Sequence, residues 1–298
     1  MDTKQLEHLV ALVEEGSVRA AAARSHISQP GLSTSIKRLE SELGRPLFER
    51  VGRRLKATAG GLEFCQHAKL ALAQLRLGRA DLRDGKSISL RLGIGESRRD
   101  DFLGRFSSAM VSLYPGAALE FVEQNYERLV PKVASGEIDA AFLGVPRGSV
   151  PRSLERVSLA DTTMGVFCRP MHPLAVRGTM VTDQELAGAT WIQSRSAPGR
   201  LTENARPDNP SLIVDSTYLL RQILQHADYL AVLPELVIER ELAMARLVRL
   251  TTKRFNFNVS IVAIRRRDVH SRALDAALDI ARKCFNESSG ADIRIDQA

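Results

Sequence analysis

Residues 16–50 contain two short helical segments joined by a tight turn, and this spacing restricts the fold more than any other feature of the chain. Ser17 is a good N-cap for the first helix, and the small alanines after it let a second helix cross closely. Ser28 can cap the second helix, with Pro30 in the first turn, where its fixed φ is already helical. The turn lies near His26. We therefore predict a helix-turn-helix.

The second helix of this pair has two different faces. Ile36, Leu39 and Leu43 recur at intervals of three and four residues and are predicted to face the core. Another face carries amide, hydroxyl and ammonium groups, which can contact base edges and phosphates in a major groove. The predicted DNA contacts from this helix are Ser28, Gln29, Pro30, Ser33, Thr34 and Lys37. An ordinary helical hairpin would have the same spacing, so the flanking residues must decide between the two.

Basic residues outnumber acidic ones directly after the start of this helix. From Lys37 to Lys56 there are seven basic residues and three acidic ones. The segment 50–54, RVGRR, has a turn-forming glycine at its centre, which predicts a β-hairpin with arginines at its tip. The predicted phosphate contacts are Arg50, Arg53 and Arg54. These flanks favour a DNA-binding winged helix-turn-helix over a plain hairpin.

A series of short motifs runs in order and without gaps through this region. The motifs are Glu14-Glu15-Gly16-Ser17, Ser28-Gln29-Pro30, Leu32-Ser33, Ile36, Arg38-Leu39-Glu40, Glu42-Leu43-Gly44 and Pro46-Leu47-Phe48-Glu49-Arg50, and the series continues with Gly52-Arg53, Thr58 and Gly61. In this series the chain resembles the winged helix-turn-helix signature of LysR-type transcriptional regulators. The resemblance implies a sequence-specific transcription factor that binds double-stranded operator DNA.

Some positions depart from the family pattern. Val18 stands where members commonly carry Phe, Gly31 where they usually have Ala, and Thr34 where many have an arginine. The DNA-reading face can therefore differ from that of other members, and their operator preference cannot be transferred to this chain.

One long helix is predicted from about Thr58 to Arg83, where the chain contains no proline. Apolar residues dominate a stripe with three- and four-residue spacing along it, formed by Cys65, Ala68, Leu72, Leu75, Arg79 and Leu82. Such a stripe can belong to a core or to an oligomer seam; we predict dimerisation, through Leu72, Leu75 and Leu82. The resemblance implies the same homodimer, a homotetramer built from two dimers, and RNA polymerase as a further partner.

Beyond Ser87 short strands alternate with helices, which predicts an α/β architecture with largely parallel sheets. The segments 112–124 and 129–144 resemble the LysR-type effector domain, whose two lobes are similar in fold to periplasmic solute-binding proteins. We predict a DNA-binding domain at 1–58, a linker helix and hinge at 59–87, and an effector domain at 88–298. Its first lobe would comprise 88–160 and 266–285, and its second lobe 161–265.

A cleft between two such lobes places strand ends beside helix N-termini, whose N–H groups favour anions. We therefore expect a small anionic metabolite to bind there and to modulate operator binding. The predicted effector contacts are Ser97, Arg98, Gln193, Ser194 and Thr217, with Arg195 and Arg200 close enough in sequence to add charge.

Composition restricts the other possibilities. A net charge of +7 and a pI near 9.6 fit a polyanionic partner. Three scattered cysteines indicate no disulfide framework, and Cys168 alone in the second lobe gives no pair for a redox switch. The histidines lack metal-binding spacings, so we expect no metal or other cofactor. The acidic residues near the N-terminus argue against a signal peptide, and no apolar run could span a bilayer, so we expect a cytoplasmic protein without a membrane partner.

Three other functions are weaker fits to the sequence. An enzyme is disfavoured because the chain has no GxSxG motif, no P-loop and no GxGxxG after a strand, and the short 93–95 segment GIG does not replace one. A transport solute-binding protein would explain the lobes but not the DNA-binding region. A ligand-independent DNA-binding repressor stays open as the alternative.

Overall fold

The computed structural model describes residues 1–51, 54–82, 88–95, 101–145, 150–194, 210–269 and 271–286. These residues form two compact units: an N-terminal unit of Met1–Leu82, to which the short segment Ser135–Glu137 is also assigned, and a C-terminal unit of the remaining residues. The predicted hinge at 84–87 lies outside the described residues.

The N-terminal unit is a winged helix-turn-helix followed by a long helix. Its elements are α1 (Thr3–Glu15), α2 (Val18–Arg24), α3 (Gln29–Leu43), the antiparallel strands β1 (Phe48–Val51) and β2 (Arg54–Ala57), and α4 (Ala59–Leu82). Both predicted caps are confirmed: Ser17 Oγ accepts from Ala20 N–H at 3.5 Å, and Ser28 Oγ accepts from Gly31 N–H at 3.2 Å. His26 has a positive φ of 54°, which marks the turn between α2 and α3.

The core of this unit forms where α3 crosses α1 and α2. On α3 the buried side chains are Leu32, Ile36 and Leu39, as the apolar spacing predicted for Ile36 and Leu39. They pack with apolar side chains of α1 and with Ala21 and Ala22, which are small enough to let α2 approach. The opposite face of α3 is consequently left exposed.

Part of the predicted apolar stripe of α4 is buried within the N-terminal unit itself. Contrary to the prediction of one partner-facing seam, Cys65 and Ala68 are buried in the core of the N-terminal unit, and Leu72 packs partly against that core. Leu75 is 45% exposed, and the side chain of Leu82 is outside the described set. A spacing of three and four residues shows which positions share a helix face, but not what covers that face. Here α1 covers the first half of it.

The C-terminal unit alternates strands and helices. Its elements are β3 (Ser89–Ile94), α5 (Phe102–Leu113), β4 (Ala118–Glu123), α6 (Tyr126–Ala134), β5 (Ala140–Val145), β6 (Leu154–Cys168), α7 (Pro173–Val176), α8 (Asp183–Gly188), β7 (Ile192–Ser194), β8 (Leu212–Val214), α9 (Thr217–His226), β9 (Ala231–Pro234), a 3-10 turn (Glu235–Ile238), α10 (Glu239–Ala243), β10 (Val248–Leu250), β11 (Phe257–Arg266) and α11 (Arg272–Asn286). The predicted α/β class is confirmed.

The main sheet is mixed, so the expectation of largely parallel sheets was wrong. Its strand order is β10-β6-β11-β5-β3-β4, with β9 also paired to β6, and only β4-β3 and β3-β5 are parallel. The two long strands β6 and β11 run antiparallel side by side, and each of them pairs with further strands in antiparallel register. Alternating strands and helices in a sequence indicate α/β architecture, but they do not reveal the direction in which a late strand such as β11 returns.

Helices cover both faces of the sheet around β5. Ala141 and Leu143 pack on the α6 side, whereas the ring of Phe142 lies 5.5 Å from that of Phe102 in α5. Phe285 of α11 stacks on the same Phe102 at 4.5 Å. Because successive residues of a strand point to opposite faces, the continuous apolar run of β5 is buried on both sides. Among the described helices, none is long and apolar enough to cross a bilayer.

Candidate DNA interface and effector site

The predicted DNA contacts of α3 share one exposed surface. Gln29, Ser33 and Lys37 follow one another at intervals of four residues, which places them on one side of the helix. All six predicted positions are exposed: Ser28, Gln29, Pro30, Ser33, Thr34 and Lys37. The structure therefore brings these residues together on the face that α1 and α2 do not cover.

Thr34 differs from the simple expectation of a free hydroxyl. Its Oγ1 donates a hydrogen bond to the carbonyl oxygen of Pro30 at 2.9 Å. The outward-facing groups of Thr34 are then its methyl group and the remaining acceptor capacity of its oxygen. Such a side chain is better suited to a thymine methyl group or a base amino group than to a base acceptor.

Of the three predicted phosphate contacts in the wing, the structure fully describes only Arg50. Arg50 is exposed in β1, opposite Leu55 of β2. Arg54 begins β2, but only its backbone is described, and Arg53 lies outside the described residues. Within the part of the chain that the structure describes, neither Lys37 nor Arg50 takes part in an ion pair, so both cations remain available for phosphate.

Glu40 fixes the wing to α3, a role that the sequence did not reveal. Its Oε1 accepts hydrogen bonds from the backbone N–H groups of Leu47 and Phe48 at 2.8 and 3.1 Å. In the sequence, Glu40 counted only as an acidic residue among basic ones. Nothing in its local pattern indicated that it would satisfy the amides that begin β1.

The junction between wing and α4 is equally constrained. Thr58 Oγ1 donates to the carbonyl oxygen of Leu47 at 3.2 Å and accepts from Gly61 N–H at 2.9 Å. A Cβ atom at Gly61 would lie 2.0 Å from that same carbonyl oxygen, so no other residue fits without a backbone shift. The wing is therefore anchored at both of its ends.

A partly buried charge cluster holds the helices behind this surface. Glu14 of α1 pairs with Lys69 of α4 at 2.6 Å and with Arg24 of α2 at 2.7 Å. Burial alone would raise the pKa of Glu14, but hydrogen bonds from the two cations outweigh it and lower the pKa below its ordinary value. The carboxylate is thus held charged, and it joins three helices.

In the C-terminal unit, three predicted effector residues meet at one sheet edge. The strands β7 and β8 are parallel, with Gln193 opposite Ile213 and Ser194 opposite Val214, so their carboxyl ends lie together. Ser216 caps the following helix α9, in which Thr217 is the first residue. Gln193 and Thr217 are half-buried and Ser194 is buried, and neither Ser194 nor Thr217 is free of other interactions.

The first-lobe part of the predicted effector site is only partly visible. Ser97 and Arg98 lie outside the described residues, as do Arg195 and Arg200. The strand that precedes Ser97 is described up to Gly95, whose N–H donates to the carbonyl oxygen of Phe142 at 2.7 Å.

Gln124 is a candidate that the sequence analysis missed. It directly follows β4, and its N–H donates to the carbonyl oxygen of Ile94 at 3.1 Å, which places it at the carboxyl edge of β3 and β4. Its Oε1 is buried and has no hydrogen-bond partner among the described residues. An uncompensated buried amide oxygen costs free energy, so it indicates a partner outside the described atoms. Glutamine alone after a strand gives no such signal in a sequence.

The glycines of the short GIG segment have a packing role. A Cβ at Gly93 would lie 2.6 Å from Leu129 Cδ2 and 2.7 Å from Ile138 Cδ1, and one at Gly95 would lie 2.8 Å from Leu143 Cβ. The glycines thus let α6 and β5 pack closely against β3.

The described residues hold no group of three or more His, Cys, Asp or Glu side chains arranged to bind a metal. All three cysteines are buried, and none of them forms a disulfide. Burial, with a smaller contribution from the Asp228 carboxylate, raises the pKa of the Cys168 thiol to about 12.

Comparison with known proteins gives consistent matches along the chain. Residues 3–62 match the helix-turn-helix model of bacterial regulatory proteins of the lysR family, and residues 83–285 match the LysR substrate binding domain. The SDS degradation transcriptional activation protein of Pseudomonas sp. (strain ATCC 19151) is 29% identical over 259 residues, which cover 84% of each protein.

Solved structures share the fold. Full-length OxyR from Pseudomonas aeruginosa matches with a TM-score of 0.71 at 21% identity, covering 95% of this chain and 98% of that one. Full-length CbnR in complex with its target DNA matches with a TM-score of 0.57 at 20% identity, covering 95% of this chain and 100% of that one. The expected combination of a winged helix-turn-helix, a linker helix and an α/β effector domain is confirmed. The chain belongs to the LysR family of transcriptional regulators, with a DNA-binding helix-turn-helix and an effector-binding domain.

Proposed function

We propose that the exposed face of α3 reads operator sequence while the wing contacts the phosphate backbone. The observation that carries this proposal is the exposed set of polar side chains on α3 beside the unpaired cations Lys37 and Arg50. Glu40 and Thr58 hold the wing in place, so Arg50 has a defined position relative to α3. Such fixed geometry favours specific binding because little ordering is left to occur on association.

The two parts of this surface are expected to fail differently when they are mutated. Arg50→Ala should weaken operator and random DNA alike and reduce the slope of log affinity against log salt by about one. Gln29→Ala should reduce discrimination between operator and random DNA by roughly 1–3 kcal/mol, because it removes a base contact. Arg282→Ala, an exposed arginine of the C-terminal unit, controls for the loss of one positive charge. Equal losses of specificity from Arg50→Ala and Gln29→Ala would overturn the assignment.

We also propose the finer division of the chain as 1–58, 59–87 and 88–298, with the two lobes divided near residue 160. The register of β6 against β11 shifts between Ile261 and Val262, whose partners are Ala160 and Ser158. A bulge here is consistent with a change of direction between lobes. Further proposals are a homodimer through α4, a homotetramer of two dimers, contact with RNA polymerase, and operation in the cytoplasm beside the chromosome.

The effector we propose is a small anionic metabolite, and its site lies between the two sheet edges. Gln193, Ser194 and Thr217 would line one side, and Ser97, Arg98 and Gln124 the other. The strand ends and the capped start of α9 provide N–H and hydroxyl donors, and the Gln124 amide can offer its oxygen or its nitrogen. A ligand there changes DNA binding only if its affinity differs between two arrangements of the lobes.

A thermal-shift screen of small carboxylates against the full chain tests this site. A hit should raise the melting temperature and change operator binding, and Ser97→Tyr should abolish both responses while basal operator binding persists. Gln124→Leu should weaken the response without abolishing the fold, since it removes the unsatisfied oxygen. If no compound acts, or if Ser97→Tyr responds like wild type, the ligand-independent repressor becomes the better description.

A further inference from the structure

The N-terminal unit contains a cavity of about 530 Å³ between α1, α3 and the wing. Its lining residues are Leu12, Gly16, Ser17, Val18, Leu32, Ser33, Ile36, Lys37, Glu40, Phe48, Arg50 and Leu55. Cavities that bind small molecules typically measure about 300–1,000 Å³, so this one is large enough for a ligand. It lies wholly within the DNA-binding unit and is separate from the proposed effector site.

The inner wall of the cavity is apolar and belongs to the core. Leu12, Leu32 and Ile36 are at most 5% exposed, and Val18 and Leu55 pack partly against them. Val18, which stands where the family commonly carries Phe, is one of the lining residues.

The mouth of the cavity carries a net positive charge. Lys37 and Arg50 are exposed, and neither takes part in an ion pair within the described part of the chain. The single acidic residue, Glu40, is already engaged by two backbone N–H groups. Ser17 and Ser33 add hydroxyl groups to the lining. An apolar interior with cations at the opening is complementary to a carboxylate on an apolar body.

We propose that this cavity binds a small carboxylic acid with an aromatic or branched aliphatic body, and that the bound acid competes with DNA for Lys37 and Arg50. The body would lie against Val18, Ile36 and Leu55, and the carboxylate would face the two cations. Because both cations lie on the surface proposed to meet phosphate, occupancy of the cavity neutralises part of that surface. The competition, but not the binding itself, rests on the proposed DNA-binding function.

Binding is measured on the full chain by fluorine NMR, with 4-(trifluoromethyl)benzoate as the probe. The neutral 4-(trifluoromethyl)benzyl alcohol has a body of the same kind without the charge. Val18→Phe fills the cavity from α2, and Leu55→Trp fills it from the wing, so the test does not depend on the folding of one variant. Val111→Phe makes the same substitution at an exposed position of α5 and serves as the matched control.

The inference requires saturable binding of the benzoate to wild type and to Val111→Phe. Both filling variants should weaken that binding by at least about tenfold, which corresponds to about 1.4 kcal/mol. Lys37→Gln should weaken binding of the benzoate while that of the alcohol changes little. Benzoate binding that is undiminished in a folded filling variant, or equally affected in Val111→Phe, would overturn the inference.

Operator binding separates this inference from the proposed function. The benzoate should lower the operator affinity of wild type but not that of Val18→Phe, since Val18 is not among the proposed DNA contacts. If wild type binds the benzoate in the cavity but does not bind DNA, the proposed function fails and the cavity site stands. If wild type binds DNA and the benzoate does not compete, the inference fails alone.

Discussion

The proposed DNA-reading surface and the proposed effector site are built in opposite ways. The first uses one continuous segment, 28–50, whose functional side chains are exposed on a helix and a hairpin. The second joins strand ends that are far apart in the chain, such as Gln124 and Ser194, and its polar groups are partly or wholly buried. A surface that local pattern creates can be recognised in a sequence, whereas a site that tertiary folding assembles cannot.

The two units also differ in where their charged side chains lie. In the N-terminal unit, Lys37 and Arg50 are exposed on the surface proposed to meet DNA. In the C-terminal unit, Arg221 of α9 and Glu241 of α10 are 7% and 6% exposed, and Arg221 Nε donates to Glu241 Oε1 at 2.9 Å. Buried charges like these stabilise a fold only while both partners are present.

Breaking this buried ion pair should have the largest effect on stability. Arg221→Met leaves the Glu241 carboxylate buried without its cation, which should cost the C-terminal unit about 3–5 kcal/mol. The only tryptophan of the chain, Trp191, is buried in that unit, so its fluorescence during urea unfolding follows the C-terminal unit specifically. We expect the affinity of the N-terminal unit for random DNA to be unchanged.

The matched control removes the second charge of the pair as well, so that no uncompensated charge stays buried. The double variant Arg221→Met with Glu241→Met replaces the ion pair by apolar side chains, and it should recover most of the lost stability. If the single and double variants unfold at the same urea concentration, the cost arises from packing and not from the uncompensated carboxylate.

The sequence therefore predicted the N-terminal unit better than the C-terminal one. Caps at Ser17 and Ser28, the buried face of α3 and the wing all depend on neighbours within a few residues. The antiparallel return of β11 and the buried oxygen of Gln124 depend on distant strands, and no local pattern contains that information. Cys65 shows the limit within the helices, since its spacing was correct but its partner surface was not.

The exposed part of α4 is where we expect the proposed dimer to form. Leu75→Glu should dissociate the proposed dimer to subunits of 32.8 kDa, measured by light scattering after size exclusion, because Leu75 is 45% exposed beyond the part of α4 that α1 covers. Leu62→Glu is the matched control: Leu62 is 50% exposed in the same helix, but at about 100° per residue it lies on another side. An unchanged mass for folded Leu75→Glu would place the seam elsewhere.

Acid should weaken the two units in different pH ranges. Burial lowers the pKa of His172 below its ordinary 6.5, although Asp228 opposes the shift. The folded state therefore favours the neutral ring, so the stability from His172 is complete above pH 6.5 and is lost as the pH falls below it. For Glu14 the lowered pKa makes its contribution complete above 4.5 and lost below that value. Between pH 7 and 5, the loss should thus appear in the C-terminal unit.

Two conservative variants test these assignments. His172 Nδ1 accepts from Leu174 N–H at 3.1 Å, and His172→Asn keeps an acceptor there but cannot titrate. It should flatten the pH dependence of Trp191 unfolding between pH 7 and 5, whereas Glu14→Gln should alter only the acid side of the N-terminal transition. A wild-type slope in His172→Asn would assign the dependence to another group.

The smallest effect is expected at Cys168, where we predict no response to peroxide. A thiol acts as a nucleophile through its thiolate, and a pKa raised to about 12 by burial leaves almost none at neutral pH. The side chain is also fully buried, and the described residues contain no disulfide. Peroxide should therefore leave operator affinity unchanged in wild type and in Cys168→Ser alike, and iodoacetamide should label Cys168 only after urea unfolds the C-terminal unit. Rapid labelling of the folded protein, or a peroxide response that Cys168→Ser removes, would contradict this prediction. It would show that the region around Cys168 opens readily in the folded protein.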